Sequence, residues 1–150
     1  MIKVVKKLKF EASHRLYKYD GACSNIHGHS YIVEVCLTSH EKDVDCDPNS
    51  ELDVLGMVVD FGKIKRVIGS WIDANWDHAL IYNINDVEIK NSLKSDLKGM
   101  KCFSFTDNPT AENMAILLFE KDWDFGNKNI KLLWVRVWET ADSYAEVNGS

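Results

Sequence analysis

Ile2-Lys-Val-Val-Lys-Lys-Leu-Lys-Phe-Glu-Ala-Ser-His14 places Ile2, Val4, Lys6, Leu8, Phe10, Ala12 and His14 at its even positions. The odd positions are mostly Lys, Glu or Ser. This period of two predicts a β-strand with one wet face. A loop marked by Tyr19-Asp20-Gly21 follows. A second alternating stretch then carries His27, His29, Tyr31, Val33, Val35 and Leu37 on one side. If the two strands pair as a hairpin, the end of the first lies beside the start of the second. His14 then falls next to His27 and His29.

Working outward, residues 38 to 56 are polar and turn-rich and read as an exposed connection. Met57 to Phe61 reads as a short strand. Ile64, Val67, Ile68, Trp71 and Ile72 follow helical spacing, one face of an amphipathic helix. Asp77-His78 is expected in a loop, and residues 84 to 100 as a helical turn and loop. Lys101 to Phe105 reads as a strand. Asn108 or Thr110 can cap a second helix reaching about Trp123, with Pro109 in its first turn. Lys131 to Thr140 and Tyr144 to Val147 close the chain as extended segments. Strands adjacent in sequence favour antiparallel pairing. The expected class is α+β, an antiparallel sheet with two helices on one face.

The chain has 150 residues, 45% of them hydrophobic, with a net charge of −5. That length suits a single domain spanning residues 1–150, with no repeat, linker or boundary. The acidic balance argues against a general nucleic-acid binder. Without a membrane-length apolar run or a signal-type N-terminus, the expected location is the cytosol. Cys23, Cys36, Cys46 and Cys102 should therefore be reduced, and no C-x-x-C pair offers a cysteine-built zinc knuckle. Cys36 and Cys102 read as core, Cys46 and His40 as surface.

Both imidazoles of His27-Gly28-His29 leave one strand face. With His14 beside them, three neutral imidazoles resemble an open zinc site with a position left for water or substrate. The competing reading is a set of strand-end histidines satisfied by backbone. Cys23, four residues before His27, is either an inert loop thiol or a thiolate favoured by a nearby dication, acting as base, nucleophile or fourth ligand. Asp77-His78 can cooperate as a carboxylate–imidazole pair only on irregular backbone; otherwise it is a helix-end Asp beside a surface His. Glu139 continues an apolar row of Leu133, Val135 and Val137. It needs a partner such as a guanidine-like ligand edge, unless the strand end is already in solvent. Glu112 reads most simply as favourable charge at a helix start.

Phe10-Glu-Ala-Ser-His14-Arg followed by Cys23-Ser-Asn-Ile-His27-Gly-His29 resembles the signature of the 6-pyruvoyl-tetrahydropterin and 6-carboxy-tetrahydropterin synthase family. Val59-Asp-Phe-Gly62, Asp77-His78, Pro109-Thr-Ala-Glu-Asn113 and Trp138-Glu-Thr140 continue the resemblance in order. Trp138-Glu-Thr-Ala-Asp-Ser-Tyr-Ala-Glu146 is most similar to the bacterial 6-carboxy-tetrahydropterin synthases of the queuosine (7-deazaguanine) pathway. The resemblance implies a tunnelling fold and a homo-oligomer, tetramer or hexamer, with sites at subunit interfaces. It implies Zn²⁺ on His14, His27 and His29, with Cys23 as the proton-abstracting thiolate. Asp77 and His78 would complete a relay, serving a neighbour's Cys23. Glu139 would anchor the pterin, with Thr110 and Glu112 as further substrate contacts. The implied substrate is 7,8-dihydroneopterin triphosphate. Acetaldehyde and triphosphate leave in the carboxy branch, and triphosphate alone in the pyruvoyl branch. Arg15, Lys18 or Lys63 could supply charge for the triphosphate. Two other readings stay open: a non-catalytic zinc module with a closed Cys-His₃ site, and a zinc hydrolase.

Overall fold

The computed structural model describes residues 1–39, 52, 53 and 55–149. His40, Cys46 and most of the polar connection lie outside these residues. The first two strands form as their alternation requires. β1 (Val4–His14) and β2 (His27–Ser39) pair antiparallel, with Phe10 opposite Tyr31, Ala12 opposite His29 and His14 opposite His27. The Phe10 and Tyr31 rings stack at 4.8 Å.

Beyond this pair, β3 (Ala79–Asn83) runs parallel to β1, and β4 (Cys102–Phe105) runs parallel to β3. β5 (Ile130–Trp138) lies antiparallel to β2, and β6 (Tyr144–Asn148) antiparallel to β5. The sheet order is β4-β3-β1-β2-β5-β6. The sheet is thus mixed: antiparallel pairing holds for β1, β2, β5 and β6, while β3 and β4 join in parallel after helical crossovers. β3 had no alternation to betray it, because four of its five residues are buried.

The expected strand at Met57 to Phe61 does not form. Val58 and Val59 are buried in irregular chain, and the Asp60 carboxylate caps the next helix by accepting from the Gly62 N–H at 2.8 Å. α1 (Phe61–Ile64), a π-helical stretch (Lys65–Gly69) and α2 (Ser70–Asn75) follow one another without a break. Ile64, Ile68 and Ile72 are buried along this run, on the face their spacing predicted. Trp76 then packs against Phe10 and Phe105. α3 (Val87–Lys94) occupies part of the stretch expected as a helical turn and loop, is a full eight residues long and is capped by Asp86. α4 (Ala111–Glu120) is capped by Thr110, and its Met114, Ala115 and Leu118 join the same core as Val135 and Val137. Each Met, Leu or Val side chain so removed from water contributes about 1.5–3 kcal/mol. Cys36 is buried as expected, but Cys102 is exposed, because β4 is an edge strand. Among the described residues no helix is long and apolar enough to cross a membrane.

Candidate active site

Antiparallel register brings the three histidines together. His14 and His27 are directly opposite one another, and His29 lies one alternate step along β2 on the same face. The ring centroids stand 4.6 Å (14–27), 5.2 Å (14–29) and 4.9 Å (27–29) apart. One ring nitrogen from each falls within 4.8 Å of the other two. A tetrahedral zinc at about 2.1 Å from each nitrogen would space them about 3.4 Å apart.

The hydrogen bonds decide which nitrogens face inward. Nδ1–H of His14 donates to the Pro109 carbonyl at 2.8 Å, and Nδ1–H of His27 donates to the Asn25 carbonyl at 2.8 Å. A carbonyl only accepts, so each Nδ1 holds the proton and each Nε2 holds a lone pair. Those two Nε2 atoms are 3.1 Å apart. Two lone pairs facing at that distance repel unless a cation lies between them. Nε2 of His29 is buried without a hydrogen-bond partner. This donor set fits a divalent metal. Burial, reinforced by the neighbouring His27 and His29, holds His14 below its ordinary value and keeps it neutral, as a ligand must be.

Glu139 follows β5 immediately, and its carboxylate oxygens lie 3.5 Å from His29 Nε2 and 4.0 Å from His14 Nε2. It also lines a cavity of about 310 Å³ together with Thr110 and Glu112. The three residues expected to touch substrate thus share one cavity, which Glu139 links to the imidazoles. Burial, then the Glu139 carboxylate, drives the Tyr31 hydroxyl far above its ordinary value, so it stays protonated beside them.

Cys23 is half-buried and free, in a short 3₁₀ turn (Ala22–Ser24) whose carbonyl at Cys23 accepts from the Leu16 N–H at 2.8 Å. Among the described residues, the metal-competent group is His14, His27 and His29, without Cys23.

The Asp77 and His78 side chains meet, because the backbone between them is irregular. His78 has a φ of 57°, in the left-handed region. Its Nδ1 lies 2.7 Å from Asp77 Oδ2, while Asp77 Oδ1 accepts from the Glu11 N–H at 2.9 Å. That backbone bond, with His78, holds the Asp77 carboxyl below its ordinary value. Among the described residues, however, no hydrogen bond or ion pair of these two side chains reaches His14, His27 or His29. His78 lines a cavity of about 430 Å³ with Glu11, Ser13, Gly28, His29, Ser30 and Met100. Glu11, Ser13, Gly28 and Ser30 alternate with the metal-facing residues and so point to the opposite side of the sheet.

Of the cations expected near a polyanion, Arg15 is already engaged. Its guanidinium donates to Asp86 at 2.6 and 2.6 Å and to Glu88 at 2.7 Å. The sequence reading also missed the Pro109 and Asn25 carbonyls that orient the rings, since a backbone acceptor has no residue-type signal.

The model for the family described as 6-pyruvoyl tetrahydropterin synthase matches residues 3–150. The chain belongs to the 6-pyruvoyl tetrahydropterin synthase family. Membership makes it an enzyme of the lyase class. A protein of Rickettsia typhi named 6-carboxy-5,6,7,8-tetrahydropterin synthase is 35% identical, over 98% of this chain and 100% of its own length. One of the same name from Aquifex aeolicus is 33% identical, with 95% of each covered. Among solved structures, the 6-pyruvoyl tetrahydropterin synthase of Caenorhabditis elegans superposes with a TM-score of 0.61 at 25% identity, covering 99% of this chain and 96% of that one. An uncharacterized protein, WS1659 from Wolinella succinogenes, shares the fold with a TM-score of 0.75 at 23% identity, covering 99% of this chain and 98% of its own. The family's tunnelling fold therefore describes this sheet and its helices.

Proposed function

We propose that this synthase is zinc-dependent and converts 7,8-dihydroneopterin triphosphate to 6-carboxy-5,6,7,8-tetrahydropterin, releasing acetaldehyde and triphosphate, as a cytoplasmic step toward queuosine. The observation that carries the reading is the convergence of three imidazole nitrogens beside Glu139, which lines a cavity with Thr110 and Glu112. The full-length relatives named for the carboxy product favour that branch over the pyruvoyl one.

In this reading His14, His27 and His29 hold the metal. Zinc there would supply Lewis-acid polarisation of substrate oxygen, making the neighbouring C–H more acidic. The Glu139 carboxylate accepts from the amino-pyrimidine edge of the pterin, a bidentate match of the kind carboxylates give guanidinium. Thr110 and Glu112 bound the same cavity and limit how the ring lies. Cys23, as thiolate, takes a proton from the substrate side chain. Asp77 fixes His78 with its Nδ1–H toward the carboxylate, leaving Nε2 to exchange protons with a thiol. Their position on the opposite side of the sheet supports service to Cys23 of a second copy, and hence a homo-oligomer with sites between subunits. The exclusion of Cys23 from the ligand group favours an open metal over a closed Cys-His₃ module.

The test is product analysis after incubation with 7,8-dihydroneopterin triphosphate and zinc. Acetaldehyde with 6-carboxytetrahydropterin is the expected outcome. Triphosphate release without acetaldehyde would place the chain in the pyruvoyl branch. Phosphate ester hydrolysis with an intact side chain would mean a hydrolase.

A further inference from the structure

Resting on the metal site proposed above, we infer that Asn108 is a positioning residue that sets both the orientation of His14 and the chain leading to Cys23. Its side chain grips one residue by both backbone groups. Asn108 Oδ1 accepts from the Tyr17 N–H at 2.7 Å, and Nδ2 donates to the Tyr17 carbonyl at 3.0 Å. With the acids ionised, only a primary amide offers an acceptor and a donor on the two ends of one group in this way. The same Oδ1 also accepts from Asn83 Nδ2 at 3.3 Å, at the end of β3.

The backbone of Asn108 is braced from the other side. Its carbonyl accepts from Asn113 Nδ2 and from the Thr110 N–H, each at 2.8 Å. The next residue, buried Pro109, supplies the carbonyl that receives His14 Nδ1–H. Tyr17 in turn follows Leu16, whose N–H holds the Cys23 carbonyl. One half-buried amide therefore ties together the partner of a metal-facing histidine, the approach to the thiol and the cap residue that lines the substrate cavity. If Asn108 lets go, the Pro109 carbonyl is free to drift, and His14 loses what fixes its tautomer.

Removing the group that receives a ligand histidine's N–H typically costs about 10–100-fold in metal affinity, and Asn108 acts on that group, the Pro109 carbonyl, one residue away, which argues for the lower end. The test measures zinc affinity by competition with a chromogenic chelator, together with melting of the metal-free chain and zinc-saturated kcat and KM. Asn108→Asp is the sharpest variant, because it keeps the shape while replacing the donor to the Tyr17 carbonyl with a repelling oxygen. Its zinc affinity should fall at least tenfold, with a reduced kcat persisting at saturating zinc. Zinc affinity within twofold of the parent overturns the inference, whether or not the melting temperature falls, since lower stability alone would be a merely structural role. If Asn108→Asp does not fold, Asn113→Ala carries the test: it removes one brace, and zinc binding at least threefold weaker is expected, while unchanged binding refutes the idea. A parent chain that takes up no zinc would instead sink the metal reading itself.

Discussion

Replacing Arg15 by methionine should destabilise the protein far more than the loss of a surface ion pair. The Asp86 carboxylate is almost wholly enclosed, its side chain 1% exposed, and Arg15 meets it through two short bonds. Arg15→Met leaves a buried charge without its counter-ion, a change that typically costs about 3–5 kcal/mol. Asp86 still accepts from the Ile89 N–H at 3.1 Å, which argues for the lower end, about 3 kcal/mol. The Glu88 arm adds little, because that side chain is 82% exposed. Arg15→Met/Asp86→Asn removes the stranded charge and keeps a helix cap of similar quality, so it should cost only about 1 kcal/mol. With a urea m-value of about 2 kcal/mol/M, the midpoint should fall by about 1.5 M in the single variant and about 0.5 M in the double.

The pH dependence gives a second readout. In the parent, burial pushes the Asp86 carboxyl up, but the Arg15 bonds and the Ile89 N–H outweigh it and leave its value below the ordinary one. Its stabilisation is therefore complete above the unfolded value, about 3.9, and is lost as pH falls through the folded value below that. In Arg15→Met, burial acts without the counter-ion, and the folded value rises above the unfolded one. The variant's deficit should then narrow as pH is lowered from 7 toward 5. A single variant that costs under about 1 kcal/mol, or a double no more stable than the single, refutes the reasoning. An unchanged KM in the double variant would place Arg15 in the scaffold; a large rise in KM would return it to the triphosphate.

Cys23→Ala should retain zinc stoichiometry while losing turnover, checked by metal analysis beside the product assay; joint loss of metal and fold would count against the thiolate role. Asp77→Asn should lower kcat by about 10²–10⁴-fold with zinc affinity unchanged, since only the proton-handling pair is disturbed. Gly28→Ala should destabilise by about 1–3 kcal/mol and weaken zinc binding, because the new Cβ meets the Ala12 carbonyl oxygen at 3.0 Å between the two β2 histidines. An unchanged melting temperature in Gly28→Ala would show that the two strands can part there without strain.

The legible parts share one property: their signal is local in sequence. β1 and β2 alternate cleanly, so hairpin pairing alone put His14 across from His27, and Thr110 could be read as a cap from its neighbours. β3 was illegible because a strand covered on both sides has no wet face to mark its period. Met57 to Phe61 misled for the opposite reason: an apolar run reads as a strand even where Asp60 starts a helix. Cys102 looked interior on an edge strand, since edge or centre is a matter of sheet order.

Residue types and their spacing were enough to determine the three imidazoles, the thiol between their strands and the family. Only the folded chain decided that Pro109 and Asn25 carbonyls turn the lone pairs of His14 and His27 inward, that Asp86 claims Arg15, and that His78 joins Glu11, Ser13, Gly28 and Ser30 around one cavity. Apart from the Asn25 contact, which spans two residues, those outcomes depend on segments as many as 95 residues apart. A donor's direction or a cation's partner is set by what the sheet and helices bring alongside, which no stretch of sequence carries by itself.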